Sequence, residues 1–191
     1  NLQRQVIHGQ SDIGRPKAES ARDSILEINP FVTVNLHDQR LEPEGAIELF
    51  SQYDLILDGT DNFAGRQAIN RACVAARVPL IAGSIAQWEG QVTLYDPARG
   101  GPCLSCLFPT APAPGLAPPC AEAGVVGPLP GVVGSMMALE TIKHLTGAAQ
   151  GLRGRMMIFD GLYGESRMIG TARRADCPVC GSALEGGATA P

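Results

Sequence analysis

Two Cys-x-x-Cys pairs, Cys103/Cys106 and Cys177/Cys180, are the residues whose type and spacing imply chemistry most directly. Two thiolates on a tight turn grip a soft metal from one side, and two such pairs can close a tetrahedron around it. About 70 residues separate the pairs, more than a local zinc ribbon spans, so the metal would staple distant stretches of chain together. Four thiolates leave no open position for a substrate. The expectation is a structural zinc site; the competing reading is two unrelated redox or free pairs. Cys120 stands alone after a proline run. A thiol exposed there could attack an activated acyl group if its pKa were lowered, and the competing reading is a spectator. Cys73, within an expected helix, reads as core.

A second set is polar: Asn1, Arg4, Gln5, Lys17, Asp61 and Asn62. Lys17 falls in the first turn of an expected helix, where the dipole disfavours a cation, so its charge suits a bound anion better than helix stability. Asp61 follows the carboxyl end of an expected strand, the place where nucleotide-facing and metal-facing acids sit in open α/β sheets. Spacing alone supports an anionic ligand at that edge and nothing finer.

The elements that must position these residues alternate. Arg15-Pro16-Lys17 followed by AESARDSILEIN predicts a helix, with proline tolerated in its first turn and Asn29-Pro30 ending it. FVTVNLH (31–37) alternates and predicts a strand. Pro43 to Gln52 predicts a helix, Tyr53 to Gly59 a buried strand, Asn62 to Arg77 a helix, and Val78 to Ser84 another buried strand. This order predicts an α/β fold, a Rossmann-like and mostly parallel sheet with helices on both faces. Glu89 to Asp96 joins it as an antiparallel strand. Prolines then crowd residues 97–130, including PTAPAPGLAPP, and predict a long mobile crossover loop. Gly131 to Leu145 returns to helix, whose small residues would let a neighbouring backbone come close. Arg155 to Asp160 and Glu165 to Ile169 predict a final antiparallel hairpin.

With 191 residues, 45% of them hydrophobic and 18% charged, the chain can bury one core. Residues 1–181 read as one domain and 182–191 as a disordered tail. A net charge of −4 offers no basic footprint, so no nucleic acid is expected. No signal pattern or bilayer-length apolar run is present, so the expectation is a cytoplasmic protein that does not meet a membrane.

The motifs taken together carry a resemblance. Asn1-Leu-Gln-Arg4-Gln5, Gly14-x-Pro-Lys17-x-Glu19, Asp58-Gly-Thr-Asp61-Asn62, Cys103-x-x-Cys106, Cys120-Ala-Glu-Ala-Gly-Val-Val-Gly-Pro-x-x-Gly131 and Cys177-Pro-Val-Cys180 follow one another in order. The whole resembles the ubiquitin-activating-enzyme-like adenylyltransferases of the ThiF, MoeB and HesA type, from Asn1 to about Cys180. The resemblance implies ATP-dependent adenylation of the C-terminal glycine carboxylate of a ubiquitin-like sulfur-carrier protein. The molybdopterin-synthase small subunit is the first expected carrier, in molybdenum cofactor biosynthesis, and the thiamine-pathway carrier is the alternative. It implies that Asn1 and Arg4 contact the ATP phosphates, that Lys17 neutralises charge there, and that Asp61, with Asn62 beside it, holds Mg2+. Cys103, Cys106, Cys177 and Cys180 would ligate structural Zn2+. Cys120 matches a position that in some members links covalently to the carrier or a sulfur donor, and in others is dispensable. Implied partners are the carrier, a second copy in a homodimer, and a cysteine desulfurase or sulfurtransferase.

The family also has a glycine-rich turn after its first strand and an acidic residue after its second. No G-x-G-x-x-G occurs here, so the expectation is a truncated adenylation domain without its first βαβ unit, which alone binds ATP poorly. The expectation is an enzyme of the simple bacterial type, without a rhodanese-type sulfurtransferase domain. A reading of another class is an inactive zinc-stapled scaffold that binds a partner without turnover. A nicotinamide dehydrogenase would leave the cysteine pairs and Arg4 unexplained. The enzymatic reading requires Arg4, Lys17 and Asp61 to meet at one triphosphate.

Overall fold

The computed structural model describes residues 1–113 and 124–181, in two units, Asn1–Leu41 and Glu42–Pro191. Helix α1 (Lys17–Ile28) is the main element of the first unit, preceded by one turn of 3-10 helix at Gln10–Asp12. The segment ahead of α1 is tied to it by side chains. His8 Nδ1 lies 2.8 Å from the hydroxyl of buried Ser20, and the Ser24 hydroxyl donates to the Ile7 carbonyl at 2.6 Å. Arg15 bridges Asp12 and Asp23 at 2.8 and 2.6 Å. Asn29 caps the C-terminus of α1 in extended conformation, as the following proline requires.

Residues 31–37 correct the sequence reading. They form no strand, and Phe31 is 94% exposed. Alternation describes a strand's faces but supplies no neighbour, and among the described residues no strand pairs with this stretch.

The second unit is a five-stranded sheet in the order β1-β2-β3-β4-β5, with helices on both faces. Helix α2 (Pro43–Phe50) leads to β1 (Ile56–Asp58), then to α3 (Phe63–Ala76) and β2 (Leu80–Ala86). β1 and β2 are parallel, pairing Ile56 with Leu80 and Asp58 with Ala82. β3 (Glu89–Tyr95), β4 (Arg155–Asp160) and β5 (Glu165–Gly170) follow, each antiparallel to the strand before it. The α/β architecture is therefore as expected, as a mixed sheet in which one ladder of four is parallel. The crossover through α3 returns the chain so that β1 and β2 can pair in parallel. β1 is also shorter than expected, and Leu57 and Tyr53 are exposed.

Alternation along β2 and β3 sorts the core. Leu80, Ala82 and Tyr95 face α2 and α3, where Ala46, Phe50, Ala72 and Cys73 meet them. Ile81, Val92 and Leu94 face α5 (Leu129–Thr146), which contributes Leu129, Val133 and Met137. Close approach on that side depends on glycines of the strands, not of the helix. A Cβ on Gly83 would sit 2.4 Å from the Met137 sulfur, and one on Gly90 2.4 Å from Val133, whereas Gly131 and Gly134 have open space beside them. The hairpin forms where expected, and Asp160 shapes its turn by accepting the amides of Leu162 and Tyr163 at 2.9 and 3.2 Å. No helix among the described residues is long and apolar enough to cross a membrane.

Candidate functional site

The crossover after β3 is not irregular throughout. Pro97–Arg99 make a turn of 3-10 helix, and α4 (Leu104–Leu107) begins right after Cys103. Buried Asp96 anchors the approach: the Arg153 guanidinium donates to it at 2.8 and 3.0 Å, and its carbonyl accepts from Gly101 at 2.9 Å. A carboxylate buried this deeply needs such a partner. Sequence reading does not single out this pair, since its members are 57 positions apart.

Cys103 and Cys106 flank the first turn of α4, and Cys177 and Cys180 enclose a turn closed by Gly181 N donating to Cys177 O at 2.8 Å. Gly181 has no alternative here, because a Cβ would lie 2.5 Å from the Ala175 carbonyl. The four sulfurs are buried and all within 4.8 Å of one another. Separations of 3.9, 3.6 and 3.4 Å link Cys103 to Cys106, Cys103 to Cys177 and Cys106 to Cys180. Thiolates bonded to one tetrahedral zinc at about 2.3 Å would stand about 3.8 Å apart, so the donor set fits such an ion. The amide of Arg174 adds a donor to Cys106 Sγ at 3.5 Å, of the kind that orients metal-bound sulfur. Burial pushes the Cys103 thiol up to about 11 and the Cys180 thiol higher still. Burial raises Cys177 too, but the backbone amides of Cys180 and Val179, together with the Cys103 and Cys106 thiols, outweigh it and hold that thiol at about 7. The expected meeting of the two pairs is thus observed, and the four cysteines could hold a metal.

Helix α3 braces this cluster. Gln67, Asn70 and Val74 recur at helical spacing on one side of it. Asn70 Oδ1 accepts the Leu104 amide at 2.9 Å, and its Nδ2 donates to Ser105 Oγ at 3.2 Å. Ser105 donates to Gln67 Oε1 at 2.6 Å, and Gln67 Nε2 donates to the Phe108 carbonyl at 2.8 Å. Val74 packs against the cysteines themselves. Sequence reading passes over Gln67 and Asn70; polar residues on a buried helical stripe are the signal that could have found them. Cys73, on another side of α3, is core as expected, its thiol pushed up to about 12 by burial and then by the Asp58 charge.

At the N-terminal end of α3 lies the turn that carries the expected acidic residues. Asp58, the last residue of β1, is 2% exposed. Its Oδ1 accepts the Thr60 amide at 2.8 Å, and its Oδ2 has no partner among the described residues. A half-satisfied buried carboxylate costs about 1–3 kcal/mol or more. Arg66, one turn into α3, donates to the Thr60 carbonyl. Asn62 is the N-cap of α3, its Oδ1 accepting the Gly65 amide at 2.7 Å. Asp61 is exposed, with no hydrogen bond or ion pair among the described residues.

The other expected site residues belong to the first unit, where they form one chain of contacts. Arg4 donates to Asn1 Oδ1 at 2.6 Å, the Gln5 amide donates to the Asn1 carbonyl at 2.9 Å, and Lys17 Nζ donates to Gln5 Oε1 at 3.0 Å. Lys17 opens α1 and is exposed. The expectation for Cys120 lies outside the described residues, as does that for the tail 182–191.

The ThiF family model matches residues 1–179. The chain belongs to the ThiF family. It is 51% identical over 172 residues to the Mycobacterium tuberculosis protein named "Probable adenylyltransferase/sulfurtransferase MoeZ", covering 88% of this chain and 44% of that protein. It is 43% identical over 185 residues to the Thermus thermophilus "Sulfur carrier protein adenylyltransferase", covering 95% of this chain and 68% of that one. The fold is shared with E. coli MccB, solved with MccA-N7isoASN, at a TM-score of 0.78 and 20% identity over 95% of this chain and 56% of that chain. The chain thus spans less than half the length of the first of these ThiF-family relatives.

Proposed function

We propose that the protein adenylates the C-terminal glycine carboxylate of a ubiquitin-like sulfur-carrier protein, using ATP. The observation that carries this is 43% identity over 185 residues to a relative named for that activity. One carboxylate oxygen attacks the α-phosphorus, the bond to the bridging oxygen breaks, and pyrophosphate leaves with its electron pair. The nucleophile is already ionised, so the reaction needs positive charge and positioning more than a base. In this reading Arg4 and Asn1 meet the phosphates, and Lys17 neutralises charge growing there. A magnesium ion held at Asp61, beside Asn62, would supply charge neutralisation on the phosphate oxygens. The exposed carboxylate of Asp61 and the exposed ammonium of Lys17 support these assignments.

Zinc is the metal proposed for Cys103, Cys106, Cys177 and Cys180, on the fit of four buried sulfurs to a closed tetrahedron. Cys120 is proposed to attack the acyl-adenylate, forming a thioester and releasing AMP; full turnover by Cys120→Ser would remove that step. The proposed carrier is the molybdopterin-synthase small subunit. The outer side of α5, where Leu139, Ile142 and Leu145 are exposed, is proposed as a homodimer contact, to be checked by sedimentation. ATP–pyrophosphate exchange with each purified carrier tests the reading. Exchange dependent on one carrier is expected; none with any carrier, in the presence of Mg2+, would overturn it.

A further inference from the structure

The turn 59–62 joins β1 to α3, and short exposed connections of this kind are ordinarily the mobile parts of a domain. Here it is held on both sides of residue 60. The Thr60 amide points to the Asp58 carboxylate, and the Thr60 carbonyl receives the Arg66 guanidinium. Each backbone group thus meets a charge of the sign that its dipole favours, and charge-assisted bonds of this type are stronger than neutral ones. Two residues later the chain is pinned again, because Asn62 accepts the Gly65 amide with its side chain and the Arg66 amide with its carbonyl. Asp61 stands between the two pinned points with an exposed carboxylate that has no partner among the described residues.

Asp58 is not explained by the turn alone. An asparagine could also accept the Thr60 amide, through a weaker neutral bond but without burying a charge. The carboxylate is instead retained at 2% exposure with one oxygen unbonded among the described residues. The opposite charge of Arg66 across the same residue gives that carboxylate a use, as one jaw of a two-charge clamp on Thr60.

We propose that Asp58 and Arg66 are positioning residues that clamp Thr60 from opposite sides and so aim the Asp61 carboxylate. The proposal rests on the reading above, in which Asp61 holds Mg2+. It predicts that weakening either jaw loosens the turn and weakens the use of Mg2+ while leaving the chemistry at saturating Mg2+ largely intact. An unaimed ligand binds its cation less often, but still contributes once the cation is bound.

The test uses the full chain and compares Asp58→Asn, Arg66→Lys and Asp61→Asn with wild type. Two quantities are read: amide hydrogen exchange at residues 60, 65 and 66, whose amides are bonded within this turn, and Mg2+ dependence of carrier-dependent pyrophosphate exchange. For Asp58→Asn and Arg66→Lys, amide exchange should speed up about tenfold or more at those residues. The apparent KM for Mg2+ should rise about tenfold, with kcat at saturating Mg2+ falling less than about threefold. Arg66→Lys keeps the charge but not the planar fork, so it tests the clamp even where Asp58→Asn fails to fold. Unchanged amide exchange in the folded variants overturns the clamp. Faster exchange with an unchanged KM for Mg2+ overturns its role in aiming Asp61. An active wild type with an Mg2+ dependence that Asp61→Asn leaves unchanged overturns the assignment of Asp61 beneath it, and an inactive wild type overturns the adenylation reading and this proposal with it.

Discussion

The cysteine cluster and the turn after β1 are both fastened by the same helix, α3, and solve opposite problems. At the cluster every functional atom is enclosed: four sulfurs buried among one another, α4 fastened by Gln67 and Asn70, and a glycine where no side chain fits. At the turn the backbone is fastened equally firmly, but the side chain in the middle is left free. A site built for stability uses up its bonding capacity within the protein, whereas a site built for a ligand keeps one group unspent on a rigid support. That contrast implies that damage at the cluster reads out as stability and damage at Asp61 as activity.

The largest effect should come from Cys180→Ser. It is expected to take bound zinc from one per chain to none by metal analysis, and to destabilise the protein by roughly 3 kcal/mol or more in thermal unfolding. Unchanged melting would mean that the cluster is not structural, and the contrast would fail on that side. Asp61→Asn should then lower pyrophosphate exchange by about 100-fold or more while changing stability by less than about 0.5 kcal/mol, as expected of an exposed position. A large loss of stability at Asp61 would break the contrast on the other side.

Asn70→Ala sharpens the comparison because it lies between the two regions along α3. It leaves the Leu104 amide without its acceptor and Ser105 without one donor, at a cost of about 1–3 kcal/mol. Chelator-driven zinc release should accelerate in this variant, measured by a colorimetric zinc indicator, with Asp61-dependent exchange less affected. The smallest effect is electrostatic and lies in the first unit. The Gly9 amide and then Arg15 hold Asp12 below its ordinary value of 3.8, and Arg15 with Arg22 does the same for Asp23. Groups depressed in the folded state favour folding above that value and lose this contribution as pH falls through their folded pKa. Protection factors along α1, corrected for the intrinsic exchange rate at each pH, should therefore fall modestly between about pH 5 and pH 2, where exposed pairs count for little.

Several features are legible in the sequence because they depend on local rules. The termini of α1 and α3 follow from Pro16, Pro30 and the capping Asn62. The hairpin follows from two alternating runs around Gly161 and Gly164, and the pairing of two Cys-x-x-Cys motifs follows from the demands of a tetrahedral metal. Sequence reasoning fails where a partner has to be known. FVTVNLH alternates as a strand should, yet its conformation depends on a neighbour that the pattern cannot name. The small residues of α5 suggest a reason for close packing, but the strand glycines Gly83 and Gly90 supply it.

What the chain's own order of residues determined is the set of chemical groups and the ends of its helices, since side-chain chemistry and capping act over a few positions. What only the folded arrangement decided is which groups are spent and which are free. Asp58 and Asp61 are the same residue type three positions apart, and one is a buried brace while the other is an exposed ligand candidate. Arg66 could be recognised as a clamp only once a turn of α3 had carried it back to Thr60. Burial and long-range hydrogen bonding depend on everything packed around a residue, and that information exists only in three dimensions.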